Sequence, residues 1–285
     1  MKISVVIITH NRYEYACAAL ESVFDQSCPA SQAILVDDGS TFDFKRRYAA
    51  EYPERAAKID FVRLGDLGPS SARNAGAEIA TGDGLAFLDD DDQMDSEYLR
   101  SCVQIMESKN SDLIVTPMVN FDETGKTWDG KSLPSEFDLD EVMLKNMGVV
   151  GSNIFMKTDA FKEVGAFNSE LKGSEDKDFL LRFIIHGKKI SRNSQRLIRY
   201  RHHPETQVSG QNKFHKFQLQ GKKRFYDLYK SKMKFKTRWA LYSQVQYFIL
   251  NGESSVLQKM SAFTILCFVC PKYIAKTILI KLRRA

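Results

Sequence analysis

One short stretch organises this chain: Phe87-Leu88-Asp89-Asp90-Asp91-Asp92. Residues 85–88 are apolar and predict a short buried strand. Four carboxylates follow at its end, and like charges this close repel one another unless a cation lies between them. Parallel sheets bind ligands at the carboxyl ends of their strands, and carboxylate oxygens suit Mg²⁺ or Mn²⁺. We therefore predict a site for a metal ion and a nucleotide diphosphate, with a solvated acidic turn as the alternative.

Strands and helices alternate through the first hundred residues. The apolar, β-branched runs at residues 3–8 and 33–36 predict strands covered on both faces, and residues 59–64 predict a third strand. Apolar residues at helical spacing within residues 13–24 predict a helix, and another begins at Pro69 or Ser70. This alternation predicts a mostly parallel α/β sheet flanked by helices. Its polar loops at 9–12, 37–41 and 89–92 then emerge at one edge.

The middle of the chain has a weaker pattern. Residues 113–119 and 189–200 resemble strands, and residues 139–147 resemble a short helix. Residues 120–138 are rich in Gly, Asp, Ser and Pro, which predicts a mobile loop. Because a loop of this length is uncommon inside a compact domain, we expect it to be functional.

Charge is divided unevenly along the chain. The net charge of the 285 residues is +5, yet residues 1–210 contain 25 Lys and Arg against 34 Asp and Glu. Residues 211–285 contain 16 Lys and Arg against 2 Asp and Glu. A basic segment on an acidic body indicates an anionic partner, either a membrane or a nucleic acid. We predict two domains, residues 1–209 and a basic helical extension at residues 210–285.

The basic extension has the pattern of helices that lie on a membrane. Residues 211–230 interleave Lys and Arg with Phe and Leu, which predicts an amphipathic helix. Residues 260–270 are uncharged but too few to cross a bilayer, and residues 274–282 again mix apolar residues with Lys. We therefore predict that residues 211–285 bind an anionic membrane surface. The alternatives are a helical cap on the sheet and a dimer contact; a nucleic-acid partner is not expected, because no RNA- or DNA-binding motif is present.

The cysteines and the N-terminal residues indicate a compartment. The five cysteines are an odd number, and the apolar run at residues 3–8 is too short for a signal peptide. We expect a reducing cytosol, with the protein peripheral on the inner face of the cell membrane.

The loops together resemble those of glycosyltransferase family 2, whose members have the GT-A fold. The similar segments, in chain order, are residues 5–12 (VVIITHNR), 18–23 (AALESV), 34–41 (ILVDDGST), 72–76 (ARNAG), 82–92 (GDGLAFLDDDD), 164–167 (VGAF) and 175–176 (ED). The resemblance covers about residues 2–209. The order and spacing of these segments are specific for the family, whereas one segment alone is not. No G-x-G-x-x-G follows the first strand, which argues against a dehydrogenase.

The resemblance implies a nucleotide site formed by the polar loops at residues 9–12 and 37–41 together with Arg73. It implies that Thr9 and Asp38 hold the uracil of a UDP-sugar and that Arg73 helps to fix the nucleotide. The carboxylate of Asp38 can accept the imide N–H of uracil, which cytosine lacks; the alternative is a turn-forming role before Gly39. His10 can stack on the base. The neighbouring Asn11 and Arg12 belong to the same predicted nucleotide-binding loop.

The resemblance also implies roles for the acidic run and for a later carboxylate. Asp91 is assigned to Mn²⁺ or Mg²⁺, and Asp89 and Asp90 to ribose or metal-bound water. For Asp92 a role with these carboxylates and a role in bracing the turn are equally expected. His203 is near a position where relatives have a histidine that contacts the metal or the diphosphate, with surface packing as the alternative. Asp176 is implied as the catalytic base, and capping of a helix is its alternative role.

These inferences predict an inverting, metal-dependent hexosyltransferase of cell-surface polysaccharide or lipopolysaccharide synthesis. Its donor is a UDP-sugar, and its acceptor is a saccharide or a lipid-linked saccharide. A non-catalytic nucleotide-binding or membrane-tethered module of the same fold is the alternative.

Overall fold

The structure is a computed structural model, and it describes residues 1–203, 211–251 and 256–269. The chain forms two compact units. The first contains Met1–Phe137, Met147–Ser169 and Phe179–His203. The second contains Asp138–Asn146, Glu170–Asp178 and the described part of Pro204–Ala285. The boundary predicted at 209/210 lies outside the described residues, and the second unit also takes in two segments that the sequence groups with the first domain.

All strands of the described residues belong to the first unit. They are β1 Ile3–Thr9, β2 Gln32–Asp38, β3 Ile59–Leu64, β4 Gly84–Asp89, β5 Gln93–Met94, β6 Leu113–Val115, β7 Met118–Phe121, β8 Thr127–Asp129, β9 Ile154–Lys157, β10 Ile190–Arg192 and β11 Ile198–Arg201. Seven of them form a sheet in the order β10-β6-β9-β4-β1-β2-β3, in which only β9 runs antiparallel to its neighbours. The other four form a smaller sheet in the order β5-β11-β7-β8.

The helices follow the predicted alternation in the first unit and form most of the second. They are α1 Tyr13–Phe24, α2 Phe44–Glu51, α3 Pro53–Ala56, α4 Pro69–Glu78, α5 Tyr98–Lys109, α6 Leu139–Leu144, α7 Thr158–Glu163, α8 Glu175–Ile185, α9 Gln211–Tyr229, α10 Phe235–Asn251 and α11 Val256–Val269. Among the residues that the structure describes, one 3₁₀ turn is present, at Gly151–Asn153.

The central strands are buried because helices cover both faces of the large sheet. Every residue of β1 is buried, as its unbroken apolar run predicts. On one face, residues such as Ile7 pack in a core that includes Leu20 of α1. On the other face α4 lies so close that a Cβ at Gly76 would collide with Val6. The mostly parallel α/β sheet flanked by helices is confirmed.

Two predicted strands are each divided between the two sheets. Residues 113–119 form β6 in the large sheet and β7 in the small one, because the side-chain amide of Asn153 bonds the carbonyl of Thr116 and Pro117 follows. Residues 189–200 divide in the same way into β10 and β11. The predicted loop at 120–138 includes β8, which forms an antiparallel pair with β7.

The second unit packs its helices around the two short segments taken from earlier in the chain. Tyr229 of α9 donates a buried hydrogen bond of 2.6 Å to Asp178. Thr237 of α10 donates to Asp140 over 2.9 Å. No helix within the described ranges is both long and apolar enough to span a bilayer. The predicted interfacial segment at residues 274–282 lies outside the described residues.

Candidate functional site

A cleft of about 460 Å³ lies at the carboxyl ends of β1, β2 and β4. The parallel register pairs Thr9 with Asp37 and Ile8 with Asp89, so the three strands end side by side. The cleft brings together seven of the predicted site residues: Thr9, His10, Arg12, Asp38, Asp89, Asp90 and Asp91. The acidic run and the two earlier loops therefore form one site.

The loop after β1 is held to the loop after β2. The ring Nδ1 of His10 lies 2.7 Å from the carbonyl oxygen of Asp38. Asn11 has a left-handed backbone (φ 58°), and its N–H donates to Ser40 Oγ over 2.8 Å. Its side-chain oxygen accepts the N–H of Thr41. Asn11 therefore orders the two loops, and its predicted contact with the nucleotide stays a prediction.

Asp38 orders a third loop that the sequence analysis did not single out. Its carboxylate accepts the N–H of Leu67 over 2.8 Å and the N–H of Gly68 over 2.7 Å. Gly68 has φ 89°, a conformation that glycine adopts without strain. The Gly68-Pro69 pair at the start of α4 was the available signal. Each carboxylate oxygen has a second lone pair, so contact with uracil stays a prediction.

Asp90 lies buried beneath the cleft. Its carboxylate accepts the hydroxyl of Thr9 over 2.8 Å and Arg12 Nη1 over 3.2 Å. Burial, and then repulsion from Asp91, raise the pKa of Asp90 to about 6. An ionised Asp90 is thus costly at neutral pH, and a cation bound nearby would reduce that cost.

Asp91 is the point where basic groups converge. One oxygen, Oδ2, accepts Arg12 Nη1 over 2.5 Å and lies 2.8 Å from His203 Nε2. The other ring nitrogen of His203 is 3.7 Å from Glu123. Glu123 also accepts the hydroxyl of Tyr15 over 2.8 Å. Sequence reasoning missed Tyr15 and Glu123, because no pattern connects positions 108 residues apart.

Asp89 and Asp92 complete the acidic run in different ways. Asp89 accepts Arg73 Nη2 over 2.5 Å, and Arg73 is buried against the 3₁₀ turn, where a Cβ at Gly151 would collide with its guanidinium. Asp92 accepts the backbone N–H of Arg201 over 3.0 Å and so braces the turn. Burial and the neighbouring carboxylates raise the pKa of Asp92 well above its usual range.

Asp176 belongs to the second unit. It is the second residue of α8, and it lines a separate pocket of about 160 Å³ with Lys177 and Lys222. Its predicted role as the base stays a prediction, and so does its alternative role at the helix N-terminus.

We expect Asp90→Asn to flatten the pH dependence of stability. Because the folded pKa is raised, the folded chain keeps a proton on Asp90 that the unfolded chain loses above about pH 4. This contribution to stability is complete below that pH and is lost as the pH rises through about 6. Urea unfolding at pH 4.5 and 7.5, without ligand, should show a decline on the order of 2 kcal/mol in the wild type that the variant lacks. If stability declined equally in the wild type and the variant, the pKa of Asp90 would not be raised in the folded chain.

Comparison with known proteins gives a family and a fold. The family model described as glycosyl transferase family 2 matches residues 4–165, more than half of the chain. An uncharacterized glycosyltransferase of Haemophilus influenzae is 30% identical over 188 residues, which are 64% of this chain and 62% of that protein. A poly(ribitol-phosphate) beta-glucosyltransferase of Bacillus spizizenii is 30% identical over 67% of this chain and 31% of its own length. The chain thus spans less than two thirds of these curated relatives.

A solved structure is similar over almost the whole chain. The crystal structure of S. aureus TarS 1-349 in complex with UDP-GlcNAc matches with a TM-score of 0.67 and 17% identity. The match covers 96% of this chain and 83% of that one. At this identity the likeness shows the fold, and it agrees with the predicted GT-A architecture.

Proposed function

The chain belongs to glycosyl transferase family 2, and we propose that it moves a sugar from a UDP-sugar to a saccharide or lipid-linked saccharide of cell-surface polysaccharide or lipopolysaccharide synthesis. The observation that supports this most is the cleft, where Asp38 and three carboxylates of the acidic run lie with the loop of Thr9 and His10. A nucleoside diphosphate suits this cleft, because Asp38 can contact its base and the acidic run can bind a cation beside its diphosphate. The UDP-GlcNAc complex of TarS supports the choice of donor by analogy.

We propose that Asp91 and His203 hold a divalent cation, with Asp89 facing the same cleft. The two side chains suit such a cation, because an Asp91 carboxylate oxygen and a His203 imidazole nitrogen lie 2.8 Å apart. Within the described residues no third His, Cys, Asp or Glu joins them in one cluster. Glu123 lies 3.7 Å from the other ring nitrogen of His203, and it would have to move closer to orient the ring as a carboxylate commonly orients a metal-bound histidine. Arg12 bonds the same Asp91 oxygen, so its guanidinium has to move aside for the cation. A bound Mn²⁺ or Mg²⁺ would stabilise the negative charge that grows on the departing diphosphate.

Asp176 is the proposed general base. It accepts the proton of the acceptor hydroxyl while that oxygen attacks the anomeric carbon of the sugar. The new carbon–oxygen bond forms as the bond from the anomeric carbon to the diphosphate breaks, and UDP leaves with the electron pair. A single displacement of this kind inverts the anomeric configuration.

UDP release from a panel of UDP-sugars tests this function. With Mn²⁺ and a saccharide acceptor, we expect at least one UDP-sugar to give UDP and a glycosylated product of inverted configuration. The matching CDP- and GDP-sugars should give none. A product that retains the donor's configuration would contradict the single displacement, and transfer from a CDP- or GDP-sugar alone would contradict the donor.

We also propose that the protein is cytoplasmic and binds the inner face of the cell membrane through the second unit. On α11, Leu257, Met260 and Phe263 recur at a spacing of three residues and are 79%, 62% and 46% exposed. Exposed apolar side chains within a segment of 16 basic against 2 acidic residues suit an anionic lipid surface.

Leu257→Glu should weaken binding to vesicles that contain acidic lipid. The substitution removes an apolar side chain from the membrane and adds a negative charge that acidic lipid repels. We therefore expect the affinity for these vesicles to fall about tenfold or more. The matched control is Leu67→Glu, an exposed leucine (61%) of the first unit. Removing the whole extension is a poorer test, because Asp140 and Asp178 would lose their partners Thr237 and Tyr229. Equal co-sedimentation of both variants with vesicles would refute this orientation.

A further inference from the structure

The pocket of the second unit is lined by two partly or fully buried lysines and by two carboxylates. It lies at the start of α8 and has a volume of about 160 Å³. The lysines are Lys177 and Lys222, and the carboxylates are Glu175 and Asp176. Within the described residues, neither lysine forms an ion pair with a carboxylate.

Lys177 is an unusual lysine because its side chain is almost completely buried. It is 6% exposed, and its Nζ lies 3.6 Å from the ring centre of Phe225. The ammonium group donates to the carbonyl of Met143 over 3.2 Å. Burial, and then repulsion from Lys222, lower the pKa of Lys177 to about 7. A methionine would fill the same apolar space without this electrostatic cost, so packing alone does not explain the charge.

Lys222 brings a second, partly desolvated charge to the same pocket. Its Nζ lies 4.9 Å from the ring centre of Phe248, and burial lowers its pKa. The next two residues of α9 differ from it. Lys223 is exposed, and Arg224 is exposed and pairs with Glu170 over 2.5 Å. Lys222 is therefore distinguished from its basic neighbours by where its charge lies.

We propose that Lys222 and Lys177 bind a phosphate group of the acceptor in this pocket, next to Asp176. Lysine ammonium groups are compact charges that bind phosphate oxygens, and a doubly charged phosphate would satisfy both. Asp176 on the same pocket would then receive the hydroxyl that is glycosylated. The inference rests on the proposed function and narrows its acceptor to a phosphate-bearing polyol or saccharide.

The test uses the full chain, and calorimetry measures separately the binding of one ligand to the pocket and of another to the cleft. Glycerol 3-phosphate probes the pocket, glycerol is the neutral control, and UDP with Mn²⁺ probes the cleft. We expect glycerol 3-phosphate to bind, also when UDP is already bound, and glycerol not to bind. Competition between UDP and glycerol 3-phosphate would show that the phosphate occupies the donor site, and would overturn the proposal.

Two variants locate the phosphate. Lys222→Gln should lower the affinity for glycerol 3-phosphate about tenfold or more, whereas the matched variant Lys223→Gln should leave it unchanged. Lys177→Met should also remove phosphate binding, and circular dichroism checks that it folds. Equal effects of Lys222→Gln and Lys223→Gln would overturn the proposal. If UDP binds and glycerol 3-phosphate does not, this inference alone fails; if UDP does not bind, the proposed function fails and the acceptor assignment fails with it.

Discussion

Asp176→Asn is expected to lower the rate of sugar transfer by about 10²–10⁴ while UDP affinity stays unchanged. The amide keeps the size and most hydrogen bonding of the carboxylate, but it cannot accept the proton of the acceptor hydroxyl. Asp176 lies in the second unit, outside the cleft lining, so donor binding has no reason to change. The measurement is the transfer rate under saturating donor, with UDP affinity determined by calorimetry.

The adjacent carboxylate provides the control for this experiment. Glu175 is also in the first turn of α8 and lines the same pocket, so Glu175→Gln removes the same charge from the helix N-terminus. We expect Glu175→Gln to transfer sugar at close to the wild-type rate. If both variants were impaired equally, the effect would come from the helix terminus, and Asp176 would not be the base.

Asp91→Ala is expected to abolish the contribution of Mn²⁺ to nucleotide binding. A ligand at about 100 times its Kd stabilises the folded chain by roughly 2.7 kcal/mol, and the Mn²⁺-dependent part of this stabilisation should be absent from the variant. The reason is that the Asp91 oxygen near His203 is the centre of the proposed cation site. Thermal unfolding with UDP, with and without Mn²⁺, measures the difference.

An exposed carboxylate close in sequence serves as the control. Asp95 lies just beyond the acidic run, and its side chain caps the backbone N–H of Glu97 outside the cleft. Asp95→Ala should therefore respond to Mn²⁺ as the wild type does. A full Mn²⁺ response in Asp91→Ala would show that the cation is held elsewhere.

The central sheet could be predicted because its signal is local. β1, β2 and β4 are short apolar runs with acidic or polar residues at their carboxyl ends, and a parallel sheet brings these ends to one edge. That geometry predicts the meeting of Asp38 with Asp89 without any knowledge of side-chain contacts. The sequence did not show that β6 and β7 are two strands, because the break between them involves a hydrogen bond from Asn153, which is 37 residues away from Thr116.

The surroundings of the site were less accessible to sequence reasoning. The ring of Tyr15 packs beside His203, and Glu123 lies next to both, in a segment whose composition predicts only a loop. The second unit was hidden for a similar reason. A short helix around Asp140 could be predicted, but its packing with α10 could not, and neither could the packing of Asp178 with α9, because the partners are 97 and 51 residues away.

The most direct test of the account is a thermal unfolding panel of UDP, CDP and GDP, each with and without Mn²⁺. UDP with Mn²⁺ should raise the melting temperature most. Removal of Mn²⁺ should reduce this effect, and CDP and GDP should stabilise the protein little. The proposed contact of Asp38 with uracil is the reason for the expected choice of base, and the proposed cation site at Asp91 and His203 is the reason for the expected metal dependence. Equal stabilisation by all three nucleotides, independent of Mn²⁺, would contradict the assignment of this cleft to a UDP-sugar.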